Sequence, residues 1–255
     1  FLSMIMVISG HPIEGLVNVR FGDTVLTTAS STVSGETTFR VTNSEFVNTD
    51  NADNFGSGSL ARFTFHDGTQ TAHDGLARAR LGSTSIPDTH KYINCAYVYL
   101  ELVHDSEKNN SLPGVSFEVK GKNVYDPRTG ANATTDLQRS NPALQIRDYL
   151  MDTTYGINAT SDEINDTTNA GGFASAANTC DQTVTLADGS STERRYTSNG
   201  FTTMDAAGGS VIEGITSSMG GRLTYTNGKF NLFAGAAQTP SLTITDEDLL
   251  APVSV

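Results

Sequence analysis

The sequence has few cysteines, little basic charge and no long apolar run. It contains no tryptophan, and its two cysteines, Cys95 and Cys180, form no C-x-x-C pair. They cannot build a structural zinc site, so we expect two isolated buried thiols, with one disulfide as the alternative. The longest apolar run, Leu2 to Ile8, is far too short for a membrane span and follows no basic residues. It predicts a buried first strand rather than a signal peptide or stable membrane insertion.

The charge balance is strongly acidic. The 255 residues include 28 acidic and 16 basic side chains, which gives a formal net charge of −12. Such a surface repels phosphate, so groove binding to nucleic acid and adhesion to anionic lipid are not expected. DNA could still slide past it without binding. The chain begins at Phe1 rather than at methionine, and we expect it to be a piece of a longer polypeptide.

Composition and periodicity predict a β-rich fold in the first ~135 residues. The chain is 37% hydrophobic and carries 24 glycines, and threonine, serine and asparagine are frequent, as in strands joined by many turns. Apolar residues alternate with polar ones at 17–21, 39–41, 63–65 and 115–119. The continuous run Tyr97 to Val103 is typical of a strand buried on both faces. The segment Asn48 to Ser59 predicts a mobile loop.

The period changes near residue 140. Ser140-Asn141-Pro142 supplies a capping side chain and a proline at the first helical position, and Ala143, Ile146 and Leu150 share one face. This helix should end near Gly156. Further helices are predicted from Thr160, over Phe173 to Cys180 and from about Asp205 to Met219. Asn227-Gly228 predicts a type I′ turn in a β-hairpin over 223–233, and Leu242 to Ile244 predicts another strand.

These elements predict an α+β, β-rich fold. We divide the chain into a β-rich module over residues 1–135, a helical or mixed inserted module over 136–200, and a helix plus β-hairpin segment over 201–255.

Two His-Asp pairs, His66-Asp67 and His73-Asp74, are the sequence's candidates for metal ligands. Their spacing fits no zincin, zinc-finger or facial-triad pattern, so polar loop residues are the favoured interpretation and no metal or other cofactor is expected. No nucleophile elbow, P-loop or dinucleotide-binding motif occurs. Among 28 acidic residues no glycosidase pair can be singled out, so we expect no enzyme.

One long stretch resembles a known family. Residues 112–130, LPGVSFEVKGKNVYDPRTG, and residues 141–150, NPALQIRDYL, are similar in sequence and order to segments of the tip attachment (central tail fibre) proteins of lambda-like siphophages. Further collinear segments follow at Asp162–Ile164, Ala176–Asp181, Arg195–Gly200 and Met219–Leu223.

The resemblance implies a structural component of the virion. In this family we expect β-barrel-like tail hub modules with an inserted mixed α/β module, assembled as a homotrimer that closes the tail tube at the tail tip. The partners would be the tail tube or distal tail protein, the tape-measure protein and other tail-tip proteins. A downstream central fibre would reach the host outer surface. DNA would pass the lumen without specific binding, and assembly would take place in the host cytoplasm.

The motifs that carry the resemblance contain packing and turn residues. Tyr125 to Gly130 follows a strand and combines an Asp acceptor, a fixed-φ proline and a terminal glycine, and Arg128 can bridge to Asp126 or to a neighbouring carboxylate. We expect a structural role, with a subunit contact as the alternative. The candidate residues are Tyr125, Asp126, Pro127, Arg128, Gly130, Asn141, Pro142, Arg147, Asp148 and Tyr149.

Two other functions stay open at this point. The chain could be a receptor-binding adhesin of a tail fibre that uses its Thr/Asn-rich loops, or a tail-associated polysaccharide hydrolase.

Overall fold

The computed structural model describes residues 1–51, 54–237 and 245. It divides between Asn123 and Val124 into two compact units, which we call unit 1 and unit 2. The modules predicted over 1–135, 136–200 and 201–255 stay predictions, because a division into compact units does not test whether one module is inserted into another.

In its described residues, unit 1 consists of two antiparallel sheets and one short α-helix. Its elements are β1 (Leu2–Ser9), β2 (Gly15–Phe21), β3 (Thr24–Val25), β4 (Thr28–Val33), β5 (Glu36–Val41), β6 (Ala61–His66), α1 (Gly75–Leu81), β7 (Ala96–Leu102) and β8 (Val115–Lys120). Five strands form a sheet in the order β1-β7-β6-β5-β4, and three form a sheet in the order β3-β2-β8. Two 3-10 turns, Ser44–Phe46 and Thr49–Asn51, lie between β5 and β6.

Strand β7 is buried along its whole length because both of its faces are covered. Val98 and Leu100 pack with Val19 and Phe21 of the smaller sheet, and Tyr99 packs on the opposite face. There Tyr97 and Tyr99 contact the helix residues Leu76 and Ala77. The continuous apolar run therefore predicted this strand correctly.

The prediction of a buried first strand was wrong in one respect. β1 forms, but it pairs only with β7 and lies at one end of the sheet order. Met4, Met6 and Ile5 pack against the core clusters of unit 1, but nearer the two ends of the strand Leu2 is 46% exposed and Val7 is 61% exposed.

Unit 2 is mixed α and β. Its elements are β9 (Tyr125–Asp126), β10 (Ala131–Asn132), α2 (Asp136–Arg139), α3 (Pro142–Met151), α4 (Phe173–Cys180), β11 (Thr183–Thr185), β12 (Thr192–Arg194), α5 (Gly208–Ser218), β13 (Arg222–Thr226) and β14 (Lys229–Phe233). One core cluster joins α3, α4, the end of α5 and β14.

Helix α3 begins where the sequence predicts. The side chain of Asn141 accepts hydrogen bonds from the backbone N–H groups of Ala143 and Leu144, and Pro142 opens the helix. The helix ends at Met151, earlier than the predicted stop at Gly156. Gly156 instead lies against the finished helix, where a Cβ would come within 1.9 Å of a backbone oxygen of Tyr149.

The other local predictions had mixed outcomes. The helix predicted from Thr160 is only a 3-10 turn, Ser161–Glu163, in which the Glu163 carboxylate accepts from the Thr160 N–H. Helices α4 and α5 form, and α5 begins at Gly208. The type I′ hairpin turn is confirmed, since Asn227 and Gly228 have φ of 52° and 74°. The strand predicted at 242–244 lies outside the described residues.

The coarse fold class is confirmed as α+β, β-rich and antiparallel, although no sheet of the described residues closes into a barrel. Both cysteines are free; Cys180 is buried, and Cys95 is half-buried rather than buried as expected. Within the described ranges, no helix is long and apolar enough to cross a membrane.

The core of unit 2 can be tested at Ile146, which is fully buried on α3. We expect Ile146→Ala to lower the free energy of unfolding by about 2–5 kcal/mol, because the substitution removes buried methyl groups and leaves a cavity. Urea denaturation measures the change. Leu137→Ala, at a site 53% exposed on α2, is the control and should unfold close to the wild-type midpoint.

Candidate functional site

The segment Tyr125 to Gly130 folds as a tight corner between β9 and β10. The backbone N–H groups of Thr129 and Gly130 donate to the carbonyl oxygen of Asp126, at 3.2 and 3.0 Å. Gly130 has φ of 71°, a conformation that favours glycine. The turn chemistry predicted from the sequence is therefore present, and it aims two side chains, Asp126 and Arg128, at each other.

Arg128 joins this corner to the end of helix α4. Its Nε and Nη2 donate to the two carboxylate oxygens of Asp126 at 2.9 and 2.7 Å. Its Nη1 donates to Asp181 Oδ2 at 2.7 Å and to Asn178 Oδ1 at 3.1 Å. One planar guanidinium thus spans two carboxylates, a geometry that lysine cannot reproduce.

Asp181 accepts hydrogen bonds from two further donors at the same point. It follows the last residue of α4, and its Oδ1 accepts from Arg194 and from Asn141 Nδ2, the latter at 2.9 Å. Asn141 Nδ2 also donates to the carbonyl of Ala177 at 3.0 Å, while its Oδ1 caps α3. A single buried amide therefore fixes the start of α3 against the end of α4.

Arg147 forms a second ion pair beside the first. Its Nε and Nη2 donate to Asp166 at 2.7 and 2.6 Å, and its guanidinium lies 4.7 Å from the centre of the Tyr125 ring. Arg147 is a charged residue of α3 and is nevertheless buried. The bidentate pair and the cation–π contact compensate for its desolvation.

We call this set the Arg128 network: Asp126, Arg128, Asn141, Asn178, Asp181 and Arg194, with Arg147, Asp166 and Tyr125 beside it. Pro127 lies half-buried within the corner, and Pro142 is buried at the start of α3. Asp148 and Tyr149 are half-buried on α3 and make none of the network bonds described above. Sequence reasoning did not single out Asp166, Asn178, Asp181 or Arg194, although Asn178 and Asp181 lie in the segment 176–181 that carries the resemblance.

The electrostatics of the network keep its groups in fixed protonation states. Burial alone would raise the pKa of Asp126, but hydrogen bonds from the Arg128 side chain and backbone outweigh it and lower the pKa below its usual value. Burial raises the pKa of the neighbouring Cys180 to about 11, and its sulfur packs 3.8 Å from that of Met219. The carboxylate stays charged and the thiol stays neutral at pH 7.

Unit 1 has its own buried carboxylate. Glu101 on β7 is fully buried and accepts hydrogen bonds from Arg62, from Arg80 Nε at 2.9 Å and from the Tyr99 hydroxyl at 2.9 Å. This arrangement connects α1, β6 and β7.

The two His-Asp pairs are separated by the fold. His66 lies at the end of β6, so the prediction of a polar loop residue was wrong for His66, and Asp74 lies in the loop before α1 as the buried N-cap of that helix. Their side chains meet, with His66 Nε2 2.9 Å from Asp74 Oδ2. Asp67 instead accepts from Thr69, and His73 lies beside Arg78. Glu36, which the sequence did not indicate, joins His66 and Asp74.

No protein-family model matches the chain, and no curated protein matches it significantly.

The Arg128 network makes a prediction about stability. Arg128→Ala should lower the free energy of unfolding by about 3–5 kcal/mol at pH 7, because it leaves the buried Asp126 carboxylate without its main cation. Equilibrium urea unfolding measures this loss. Arg222→Ala, an exposed arginine on β13, is the matched control and should change little.

The same loss should depend on pH. Because the folded-state pKa of Asp126 is depressed, its contribution is fully present above the unfolded value near 3.8 and disappears as pH falls through the lower folded-state pKa. The difference between wild type and Arg128→Ala should therefore shrink as the pH falls below about 4, where the Asp126 carboxylate of the wild type begins to be protonated. A difference that stayed constant down to pH 2.5 would argue against Asp126 as the partner that matters.

Proposed function

We propose that this chain is a structural protein of a siphophage tail tip. In this proposal it forms a trimeric hub that closes the tail tube, connects it to the central fibre and lets the genome pass during infection. The proposal rests on the sequence resemblance, and one structural observation supports it.

That observation is that segments far apart in the sequence, each of which carries the resemblance, meet in the Arg128 network. Asp126 and Arg128 come from the first segment, Asn141 from the second, and Asp181 from the segment at 176–181. If the chain shares its fold with the family that it resembles, the similar segments should meet in space in this way. The network holds the fold of unit 2, as expected of a building block rather than of a receptor-reading loop.

The apolar side chains left at the surface of unit 2 fit a subunit that is buried further on assembly. Phe201 is 94% exposed and Met204 is 85% exposed, both between β12 and α5. Single exposed apolar residues are common, but aromatic side chains and methionine are the residues enriched where proteins associate. In the proposed trimer this segment lies in a subunit contact.

The finer architecture belongs to the same proposal. The two sheets of unit 1, packed face to face over one core, form the barrel-like hub module, and the net charge of −12 lies partly on the lumen wall, where it repels DNA.

The test of the oligomer is to locate the chain in the particle. Low-resolution imaging of virions that carry a tagged copy should show three copies in a ring at the end of the tail tube. A chain found at the distal end of a fibre, binding host cells when isolated, would replace the hub with the adhesin. Clearing of host polysaccharide by the purified chain would replace it with the hydrolase.

A second test uses the network. Arg128→Ala should reduce the yield of infectious particles at least about tenfold, because a subunit that has lost several kcal/mol of stability is depleted before assembly. Plaque titre and electron microscopy of tails measure the effect. Arg222→Ala in the same unit should assemble normally. Fully assembled, infectious Arg128→Ala particles would contradict the proposed importance of this corner.

A further inference from the structure

The Glu36, His66 and Asp74 side chains of unit 1 converge from three elements. Each offers one ligand atom, and the three atoms lie within 4.8 Å of one another. His66 Nε2 is 2.9 Å from Asp74 Oδ2 and 3.8 Å from Glu36 Oε2. We call these three residues the carboxylate–histidine cluster.

Sheet register and a helix start produce the cluster. β5 pairs with β6 so that Thr38 faces Thr64, and continuing this register brings Glu36 at the start of β5 beside His66 at the end of β6. Asp74 reaches the same point as the N-cap of α1. Gly75 allows this close approach, since a Cβ there would lie 2.4 Å from the backbone oxygen of Ser34.

Each carboxylate is oriented by a backbone N–H group. The Gly75 N–H donates to Glu36 Oε1 at 2.9 Å, and the Ala77 N–H donates to Asp74 Oδ1 at 2.7 Å. The other oxygen of each carboxylate is left to face His66 Nε2. Thr64 Oγ1 also donates to Asp74 Oδ2, at 2.5 Å. Hydrogen bonds that orient ligand oxygens in this way are typical of the shell around a metal site.

The imidazole is oriented as well. Its ring stacks on that of Tyr97 with the centroids 4.6 Å apart and the planes 18° apart. Tyr97 is fully buried, and its hydroxyl has no hydrogen-bond partner among the described residues. Burial, followed by the charges of Asp74 and Glu36, raises the pKa of Tyr97. A buried hydroxyl without a partner indicates that the site accommodates a further polar group.

The charges of the cluster favour a divalent cation. Two largely buried carboxylates face each other, and in the described residues His66 is the one side chain that can be cationic within 4.0 Å of either. With neutral imidazole the cluster carries two negative charges, which one divalent ion neutralises. Ligand atoms about 3.3 Å apart surround a tetrahedral zinc, and small side-chain rotations reach that spacing from 2.9 and 3.8 Å.

We propose that Glu36, His66 and Asp74 form a metal site that binds one Zn²⁺ through His66 Nε2, Glu36 Oε2 and Asp74 Oδ2. The ion joins β5, β6 and the first turn of α1, and the fourth position is open to water near the Tyr97 hydroxyl. The mixed nitrogen and oxygen donors suit Zn²⁺ better than Mg²⁺ or Ca²⁺, which prefer oxygen ligands alone. The site is independent of the proposed role in the virion.

The experiment is isothermal titration of the metal-stripped 255-residue chain with Zn²⁺, paired with thermal melts in Zn²⁺ and in a chelator. We expect one equivalent bound and a melting temperature that rises with Zn²⁺ and returns with the chelator. Mg²⁺ at the same concentration should leave the melting temperature unchanged. A chain that binds no Zn²⁺, or whose melting temperature does not respond to it, would overturn the proposal.

Variants identify the ligands. Glu36→Gln and Asp74→Asn retain the acceptors for the Gly75 and Ala77 N–H groups, so they preserve the fold while each removes a charged ligand. Both, and His66→Gln, should abolish stoichiometric binding, whereas Thr64→Val should weaken it about 10- to 100-fold by removing an orienting hydrogen bond. His73→Gln, in the same loop but beside Arg78, is the matched control and should bind as wild type. If Glu36→Gln and Asp74→Asn fold and bind Zn²⁺ as wild type does, the cluster is not the site.

Discussion

Each unit buries carboxylates, and the need to give every one of them partners constrains the surrounding structure. Removing a carboxylate from water costs several kcal/mol, so it must receive hydrogen bonds and positive charge from whatever lies nearby. Glu101 accepts hydrogen bonds from two guanidinium groups and a phenol. Both carboxylate oxygens of Asp126 accept hydrogen bonds from Arg128. The Asp74 carboxylate is hydrogen-bonded to a hydroxyl, an imidazole and a backbone N–H of α1. These donors come from different elements, so satisfying the carboxylates fixes the register of strands and the ends of helices.

The parts of the fold that the sequence predicts are those whose cause is local. The Asn141-Pro142 start of α3 needs only its own side chain and the next two N–H groups, and the Asn227-Gly228 turn needs only two residues that tolerate positive φ. β7 was predictable because a strand that is buried on both faces has a nearly continuous run of apolar residues in its sequence. The same logic explains the failures. Thr160 to Glu163 carries a local helix-start signal, but the residues after it pair with β14 at Ile164, and tertiary pairing prevails over the signal.

The candidate sites depend on contacts that no local pattern contains. Arg128 was expected to find a carboxylate, and Asp126 was one of the choices, but Asp181 lies 53 residues away along the chain and becomes a partner only when α3 packs on α4. Glu36 meets His66 because of a strand register, and a shift of one residue would point one of the two side chains to the opposite face. His66-Asp67 and His73-Asp74 read as two equal pairs in the sequence, yet the fold uses one residue from each. Pairing of this kind is decided by topology, which one sequence does not reveal.

The chemistry of the Arg128 network favours a structural role over catalysis. A general acid or base works best when its pKa is close to the working pH, and a nucleophilic thiol needs a lowered pKa. Here the hydrogen bonds and charge of Arg128 outweigh burial and depress the pKa of Asp126, and burial raises that of Cys180 to about 11, so both shifts move away from what turnover requires. The same contacts are suited to a different task, because Arg128 joins the corner to the end of α4 and Asn141 joins that end to the start of α3. In the hub that we propose, a subunit must keep its shape while neighbours assemble on it, and rigidity serves that role better than a reactive group.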